Sequence, residues 1–390
     1  MNEVYIFAAK RSAIGAFGGS LSNISAPDIS AEVIKNLADQ EIISKVGEVI
    51  FGNVLSAGIG QNPARIASVK AGIRENVPAS TINQVCGSGM RSVAIASDLL
   101  ALGKRNLMVV GGMENMSQSP YLLRKHRFGN RLGHDELIDS MVNDGLWCTL
   151  TEQHMGCTAE NVAYKYKISR EEADVFALES QKKALQAIEK GKFTGQIVAI
   201  EVQEKKGSRI FDVDEQPRKD TAIEILLKLK PAFKEPGLVT AGNSSTINDG
   251  AAALLLGNQN AEKNYGLKPL ARVVDYAVVA LDPNFMGMGA SLAAKQLLKQ
   301  TKIKKTDIDL WEINEAFATQ SLAVIKDLRI DKNLVNVNGG AIALGHPIGA
   351  SGARILVTLI HELVSSNKKF GLASLCIGGG QGIAMIIERL

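Results

Sequence analysis

Aromatic residues are scarce in this chain of 390 residues, at 5% of the total, although apolar residues make up 46%. The hydrophobic cores must therefore be mainly aliphatic, which is typical of buried parallel sheets. The net charge is only +4, and no basic run is interleaved with aromatic residues, so a nucleic-acid partner is not expected. No apolar run reaches the roughly 18 residues that a membrane span needs, so we expect no membrane association.

Cysteine is also scarce, and its four residues are scattered: Cys86, Cys148, Cys157 and Cys376. The absence of a Cys-x-x-Cys pair argues against a structural zinc site, and we expect no bound metal. Few, scattered cysteines in a long chain are typical of reduced, intracellular proteins. The N-terminal residues lack the charged and apolar regions of a signal peptide. These features together predict a cytoplasmic protein.

Glycine, by contrast, is abundant, with 37 residues, and several glycines cluster around reactive side chains. Cys86 lies in the turn over residues 85–90, His346 in the turn over 345–352, and a second cysteine begins the turn over 376–382. Glycine clusters let the backbone approach a ligand closely. A nucleophile and a histidine in such turns are what covalent catalysis on an acyl group or thioester needs.

One order of elements occurs twice along the chain: a strand, a glycine turn, a helix, a strand and a second glycine turn. In the first copy the helix is expected from about Met90 to Leu102, and in the second from about Ala350 to Val364. The second copy is expected to begin with a strand over residues 334–337. This order suggests an internal duplication, although two unrelated βαβ units would give the same pattern.

The middle of the chain carries most of the charge runs and the least sheet-like pattern. A helix is expected there from about Arg170 to Lys190, with Ser169 as N-cap and Glu172 at the capping-box position. We interpret the region as an insertion at residues 119–249. The N-terminal half then comprises residues 1–118 and 250–268, and the C-terminal half residues 269–390, as suits a chain of this length.

Two single residues and one adjacent pair are candidates for catalysis, and for each a purely structural role is the alternative. Cys86 is expected at the start of a helix, where N–H groups and the helix dipole favour a thiolate, but a free cysteine is often a small buried hydrophobe. His346 could accept the thiol proton or donate a hydrogen bond to a carbonyl oxygen, or be structural. Asn314 and Glu315 follow a strand and could bind a water or a carbonyl oxygen, unless Glu315 only caps a helix.

Taken together, six motifs resemble the thiolase family, and they cover essentially the whole chain in family order: Val-Cys86-Gly-Ser-Gly-Met, Gly111-Gly-Met-Glu-Asn-Met-Ser117, Thr240-Ala-Gly-Asn-Ser-Ser-Thr-Ile-Asn-Asp-Gly250, Asn314-Glu-Ala-Phe-Ala318, Gly339-Gly-Ala-Ile-Ala-Leu-Gly-His-Pro-Ile-Gly-Ala-Ser-Gly352 and Cys376-Ile-Gly-Gly-Gly-Gln-Gly382. The resemblance implies an α/β fold with a five-layered α/β/α/β/α core of two duplicated halves. It also implies an inserted loop domain over the active site.

The resemblance also implies a role for each catalytic position. Cys86 would take the acyl group from a thioester of coenzyme A, and Cys376 would remove or return the proton on the carbon that is joined. His346 would activate Cys86 and, with a water held by Asn314, form one oxyanion hole. The backbone N–H groups of Cys86 and Gly378 would form the other.

Coenzyme A contacts follow from the same resemblance. Arg218 would lie near the adenine, and Met286 beside the acyl end. The pantetheine channel would be lined by His154, Met155, Leu229, Phe233, Ala241, Gly242, Ser245, Ala316 and Phe317. The family usually has prolines in the stretch 286–293, where this chain has none, so the shape of the acyl pocket does not follow from the resemblance.

The implied reaction is the reversible condensation of two acetyl-CoA molecules to acetoacetyl-CoA and CoA, with no further cofactor. A homodimer or homotetramer is the family expectation. The alternative within the family is a thiolase of β-oxidation that acts on longer 3-ketoacyl-CoA, and His154 with Met155 favours the short-chain enzyme. A cysteine at 376 argues against the decarboxylating condensing enzymes, which typically carry a Cys-His-His set. A non-catalytic acyl-CoA carrier on the same scaffold is a further alternative. Such a carrier would not need four reactive side chains together: Cys86, His346, Asn314 and Cys376.

Overall fold

The computed structural model describes residues 2–205 and 207–390. The strands are β1 Val4–Ser12, β2 Gly15–Ala16, β3 Glu48–Gly52, β4 Ala79–Ile82, β5 Leu107–Asn115, β6 Tyr121–Leu122, β7 Ile138–Asp139, β8 Trp147–Cys148, β9 Gln153–His154, β10 Ile197–Val198, β11 Ile200–Glu204, β12 Gly207–Phe211, β13 Asn248–Asn258, β14 Ala271–Ala280, β15 Leu310–Ile313, β16 Phe370–Ile377 and β17 Gln381–Arg389. The α-helices are α1 Ala26–Lys35, α2 Gln40–Ile43, α3 Pro63–Lys70, α4 Ser88–Ala101, α5 Met155–Tyr166, α6 Arg170–Glu189, α7 Ile223–Leu226, α8 Gln259–Tyr265, α9 Gly289–Thr301, α10 Ala318–Leu328, α11 Ala341–Leu344 and α12 Ile348–Ser365. A short π-helical segment covers Met141–Leu146, and 3₁₀ turns cover Met116–Gln118, His126–Phe128, Pro283–Met288, Lys305–Asp307 and Lys332–Leu334.

The main sheet contains the same strand order twice. The first half runs β1-β13-β5-β3-β4 and the second β14-β17-β16-β15, and antiparallel pairing of β1 with β14 joins them. The position next to β15 is taken by the segment at Val335, which bridges Trp311. In each half, the helix that follows a reactive glycine turn leads into the next strand, α4 into β5 and α12 into β16. The repeated order is the duplication that the sequence suggests.

The order of the layers follows from the apolar faces of the helices and of the two half-sheets, which pack against each other. Helices α4 and α12 pack against each other between the two half-sheets, α1 and α3 cover the outer face of the first, and α9 covers the outer face of the second with α10 beside it. Three aliphatic cores separate these layers. This is the expected five-layered arrangement. Helix α12 is long and apolar enough to span a membrane, but 78% of it is buried within the protein, as a central helix between two sheets must be.

Two local expectations are tested by these bounds. Helix α6 begins after Ser169, whose side chain accepts from the Glu172 N–H while the Glu172 carboxylate accepts from the Ser169 N–H, so the predicted capping box is confirmed. The strand predicted over residues 334–337 is wrong. Asn336 has φ 45° and its side chain exchanges two hydrogen bonds with the backbone of Ile313, each 2.8 Å, so the segment turns there instead of extending.

The segment between β5 and β13 holds β6 to β12 and α5 to α7, and it corresponds to the predicted insertion. Strand β13 begins at Asn248, so the predicted boundary at residue 250 falls inside this strand. The division into three domains stays a prediction.

Candidate active site

A tight, strained turn presents Cys86 just before α4. Val85, which precedes it, has φ 46°, a left-handed conformation that costs a β-branched residue about 1–3 kcal/mol. Ser88 holds the turn closed, because its Oγ donates to Val85 O at 2.6 Å and accepts from the Gln84 N–H at 2.8 Å. The sequence predicts Cys86 at the start of a helix, and α4 begins two residues after it. The strain and its serine clamp, which aim the side chain, are visible only in the fold.

The sulfur of Cys86 lies next to the second reactive turn. The backbone N–H groups of Gly378 and of Cys86 itself hydrogen-bond to it, and it lies close enough to Cys376 to disfavour the ionisation of that thiol. Burial raises the pKa of Cys86 to about 11, and burial followed by the proximity of Cys86 raises the pKa of Cys376 well above its usual range. The expectation that the helix start alone yields a thiolate is therefore wrong, because desolvation outweighs the N–H groups.

His346 is buried, and both its backbone and its ring are held. Its N–H donates to Asn248 Oδ1 at 3.0 Å, from β13 in the first half of the fold. In the ring, Nδ1 lies 2.5 Å from Ser351 Oγ and Nε2 lies 3.4 Å from Asn314 Nδ2. Burial, helped by the charge of Arg354, lowers the pKa of His346 to about 3. The imidazole is therefore neutral before reaction and able to accept a proton.

Asn314 follows β15, and its N–H donates to Ser374 O at 3.0 Å, which ties it to β16 and so to the turn of Cys376. Its side chain is buried, and among the described residues its Oδ1 has no hydrogen-bond partner. A buried amide oxygen with no partner is costly, and a bound water or ligand would satisfy it. This fits the water that the resemblance assigns to Asn314.

Glu315 does not cap the helix that follows it, α10, whose N-cap is Phe317, but it accepts a hydrogen bond from the first turn of α11. Its carboxylate is buried and accepts hydrogen bonds from Asn336 Nδ2 at 2.8 Å, Ser180 Oγ at 2.7 Å and the Ile342 N–H at 3.2 Å. It therefore fixes the loop that leads to His346.

Glu114, on β5, is a buried carboxylate that the sequence argument missed. Each of its oxygens accepts two hydrogen bonds, from Asn53 Nδ2 and Leu55 N on one, and from Val54 N and Gly349 N on the other, at 2.8–3.1 Å. The last donor lies at the start of α12, so this side chain joins the two halves beside the site. Its place in the Gly111–Ser117 motif was the only signal in the sequence.

Glycines let α4 and α12 meet at their first turns. A β-carbon on Gly89 would lie 2.7 Å from Ala353 N, and one on Gly352 would lie 2.5 Å from Met90 N. Both distances are shorter than side chains allow, so only glycine fits. This close approach brings the turn of Cys86 and the turn of His346 to the same place, as the sequence argument expected of two related halves.

The predicted coenzyme A contacts fall into two groups. The first lines a cavity of about 250 Å³ and includes Arg218, Leu229, Ala241 and Gly242. Arg218 is exposed, and its backbone N–H donates to Gln181 Oε1 at 2.9 Å. An exposed guanidinium at the rim of an apolar cavity suits contact with an aromatic base and a phosphate.

The second group lies between this cavity and the cysteines. The His154 ring stacks on Phe233 with 4.6 Å between centroids, and Phe233 meets Phe317 edge-on at 6.1 Å. Burial lowers the pKa of His154, whose Nδ1 accepts the Gly156 N–H and caps α5. These rings form an apolar wall, as a pantetheine arm requires.

The rest of this group continues toward the reacting sulfurs. The Ser245 N–H donates to Ala316 O at 2.9 Å, and a β-carbon on Gly378 would touch Met155 Sδ at 3.4 Å. Met286 is buried in the same core as Cys376. The structure therefore places the predicted coenzyme A contacts in two groups, of which the second extends to Cys376 and Gly378.

The stretch without prolines has a simple structure. A 3₁₀ turn over Pro283–Met288 leads directly into α9. Gly289 meets Gly382 of β17 so closely that a β-carbon on either would lie 2.0 Å from a backbone oxygen. Close glycine contacts with β17, rather than prolines, fix the backbone of this stretch.

A wider cavity, of about 1090 Å³, lies along the outer side of α5 and is lined by Lys165, Lys167, Lys234 and Phe285 among others. The four predicted catalytic side chains do not line it. Size is therefore a poor guide to the site in this fold, and the site is defined by its reactive groups.

Comparison with known proteins agrees with this geometry. The family models described as "Thiolase, N-terminal domain" and "Thiolase, C-terminal domain" match residues 4–260 and 267–389. The chain is 52% identical to the acetyl-CoA acetyltransferase of Pseudomonas aeruginosa and 53% identical to that of Escherichia coli, in each case over 100% of both chains.

Solved structures show the same likeness over 100% of this chain and 99% of each of theirs. The acetyl-CoA acetyltransferase of Bacillus anthracis superposes with a TM-score of 0.97 at 44% identity. Human mitochondrial 3-ketoacyl-CoA thiolase superposes with a TM-score of 0.96 at 43% identity.

Proposed function

Because the chain belongs to the thiolase family, we propose that it catalyses the reversible condensation of two acetyl-CoA molecules to acetoacetyl-CoA and CoA, with the acetyl group carried on Cys86. The observation that carries the proposal is that two N–H groups hydrogen-bond to the Cys86 sulfur beside a second thiol, Cys376, while the close approach of α4 to α12 brings the turn of the neutral His346 to the same place. The relatives named acetyl-CoA acetyltransferase support the choice of substrate.

The first half-reaction transfers the acetyl group. His346 Nε2 takes the proton of the Cys86 thiol, and the resulting thiolate attacks the carbonyl carbon of acetyl-CoA. The bond from that carbon to the coenzyme A sulfur breaks, and the departing sulfur takes a proton from the Cys376 thiol. The products are acetyl-Cys86, free CoA, a Cys376 thiolate and protonated His346. The N–H groups of Cys86 and Gly378 would stabilise the oxyanion on the way.

The second half-reaction joins the carbons. The Cys376 thiolate removes a proton from the methyl carbon of a second acetyl-CoA, and its raised pKa makes it a stronger base than an ordinary thiolate. The carbanion attacks the carbonyl carbon of acetyl-Cys86, the carbon–sulfur bond breaks, and His346 returns its proton to the Cys86 sulfur. Acetoacetyl-CoA leaves, and every group recovers its starting proton. A water on Asn314, together with His346, would hold the enolate oxygen.

Short acyl groups fit the surroundings of Cys376 best. Met155, Met286 and Phe317 are buried in one core with this cysteine, which leaves little room for a long chain. The rival reaction on longer 3-ketoacyl-CoA has the human mitochondrial relative in its favour. Thiolysis of acetoacetyl-CoA beside a ten-carbon 3-ketoacyl-CoA separates them, and a higher kcat/KM for the longer substrate would favour the rival.

The covalent step has its own test. After incubation with acetyl-CoA and acid quenching, peptide mass spectrometry should find the acetyl group on the peptide that contains Cys86. Acetyl on Cys376 with none on Cys86 would reverse the two roles, and no acetyl on either would refute the proposed reaction.

We also propose that the protein acts in the cytoplasm as a homodimer or homotetramer, without a further cofactor. In support of the oligomer, the segment 121–137 exposes large apolar side chains, with Phe128 and Leu132 at 94% and 95% exposure, and such patches are typical of interfaces. Light scattering after gel filtration measures the assembly, and Phe128→Ser with Leu132→Ser should reduce its mass. A monomeric wild-type protein would contradict this.

A further inference from the structure

A serine hydroxyl contacts the histidine of the site from the side away from Asn314. Ser351 Oγ lies 2.5 Å from His346 Nδ1, and it also lies 2.8 Å from Pro347 O. The serine is fully buried, in the first turn of α12. A carbonyl oxygen can only accept a hydrogen bond, so the hydroxyl proton of Ser351 is directed to Pro347 O. Toward the histidine, the same oxygen can then only accept.

This arrangement selects one form of the ring. A neutral imidazole carries one N–H, and the hydrogen bond made by one nitrogen decides which nitrogen has the proton. With Ser351 as an acceptor, the proton of His346 lies on Nδ1 and the lone pair on Nε2. The Asn314 amide Nδ2 lies 3.4 Å from Nε2; it is a donor and so is compatible with that lone pair.

We propose that Ser351 is a positioning residue, which holds His346 in the Nδ1–H tautomer so that Nε2 can accept the Cys86 proton. The inference rests on the proposed function, because it concerns the base of the acyl transfer. When Nε2 takes the proton, the imidazolium keeps its Nδ1–H bond to Ser351, so the ring need not turn between the two states. The backbone of His346 is fixed independently by Asn248.

A purely structural role is the alternative, since serine often bonds the carbonyl four residues earlier in a helix. Ser97 of α4 is a matched control for it. Its Oγ donates to Val93 O at 2.8 Å, it is buried, and within residues 2–205 and 207–390 its side chain makes no other hydrogen bond. Ser97→Ala therefore removes the same kind of helix bond as Ser351→Ala, without a histidine.

The experiment compares Ser351→Ala, Ser351→Thr and Ser97→Ala with the wild-type enzyme. It measures the single-turnover rate of Cys86 acetylation, KM for acetyl-CoA, the rate of Cys86 alkylation by iodoacetamide, and the thermal unfolding midpoint. For Ser351→Ala we expect acetylation and alkylation to slow by about 10–100-fold, the loss typical when the hydrogen-bond partner of a metal-ligating histidine is removed. KM should not change, because Ser351 is fully buried and has no exposed surface for a substrate to contact. Ser351→Thr should recover most of the rate, and Ser97→Ala should keep it.

Three results would overturn the inference. Ser351→Ala at the wild-type acetylation rate would show that the tautomer is set without the serine. Equal losses of rate and of unfolding midpoint in Ser351→Ala and Ser97→Ala would show a structural role. Wild-type protein that does not acetylate Cys86 would refute the proposed function and this inference with it. Because alkylation needs no coenzyme A, it still reports on the Cys86–His346 pair where a variant binds substrate poorly.

Discussion

Gly89→Ala tests whether the contact between α4 and α12 sets the catalytic geometry. The added β-carbon would lie 2.7 Å from Ala353 N and 3.0 Å from Gly349 O, whereas ordinary contacts lie at 3.4–4 Å. Both neighbours are backbone atoms of α12 and cannot rotate away, so the helices must separate by about 1 Å, because close-packed interiors have no spare room. Overpacking of this kind typically costs about 1–3 kcal/mol of stability.

The effect on activity should be larger than the effect on stability. Cys86 precedes one of these helices and His346 precedes the other, so their separation moves the base away from the thiol. A misplacement of about 1 Å can slow a reaction by about 100-fold, and we expect this loss in kcat for thiolysis of acetoacetyl-CoA. The proposed coenzyme A contacts do not include the residues of α4 and α12 that meet here, so KM should change little.

Gly195→Ala is the matched control, because its β-carbon would lie 3.6 Å from its nearest neighbour, His361 Nδ1, in ordinary contact. It should keep both kcat and the unfolding midpoint. The measurements are thermal unfolding by circular dichroism and steady-state kinetics on the wild-type, Gly89→Ala and Gly195→Ala proteins. A Gly89→Ala protein with wild-type kcat would refute the reasoning, since the helix contact would then not control the distance between thiol and base.

Three further predictions concern single side chains. Cys376→Ser should slow acetylation of Cys86 much less than condensation, because coenzyme A can leave as a thiolate and take its proton from solvent, whereas removal of the methyl proton needs a base. Condensation should fall by about 10²–10⁴-fold, the usual loss of a general acid/base; condensation at the wild-type rate would remove Cys376 from that role. Arg218→Ala should raise KM for CoA and leave kcat unchanged, since it removes a contact made equally in ground and transition states; an unchanged KM would mean that Arg218 is only solvated. Burial raises the pKa of Glu312 from 4.5 to about 8, so the folded state binds the extra proton and stability should fall as the pH rises from 4.5 to 8. Glu312→Gln should flatten this fall in unfolding midpoints, and an unaltered pH dependence would show that Glu312 does not titrate there.

The elements that the sequence predicts well are those whose cause is local. The capping box of α6 depends on Ser169 and Glu172, three residues apart, and the glycine turns depend on residues within a few positions. The strand predicted at residues 334–337 failed because the side chain of Asn336 bonds to Ile313, which lies far away in the sequence. The spacing of apolar residues along the chain cannot indicate a contact between side chains and backbone that are distant in sequence.

The chemistry of the site divides in the same way. The glycine turns identify Cys86, His346 and Cys376 as reactive, but their proton affinities depend on what covers them. The sequence predicted a thiolate at Cys86 from the helix start, yet the surrounding protein raises its pKa to about 11. The sequence also did not indicate the hydrogen-bond partner of the His346 ring, although Ser351 lies only five positions away. The positions of residues in α12 do not show which of its side chains faces the imidazole.

The raised and lowered pKa values have one common consequence. With both thiols protonated and His346 neutral, the three reacting side chains carry no charge before substrate binds, so the protein does not have to bury an unpaired ion among them. Charge develops only when a proton moves from Cys86 to His346 and the thioester oxygen becomes an oxyanion. In the proposed reaction, the N–H groups of Cys86 and Gly378, which do not overcome desolvation of the thiol, would then donate hydrogen bonds to the charged oxygen. Fixed dipoles of this kind stabilise the transition state more than the ground state, and that difference is what accelerates the reaction.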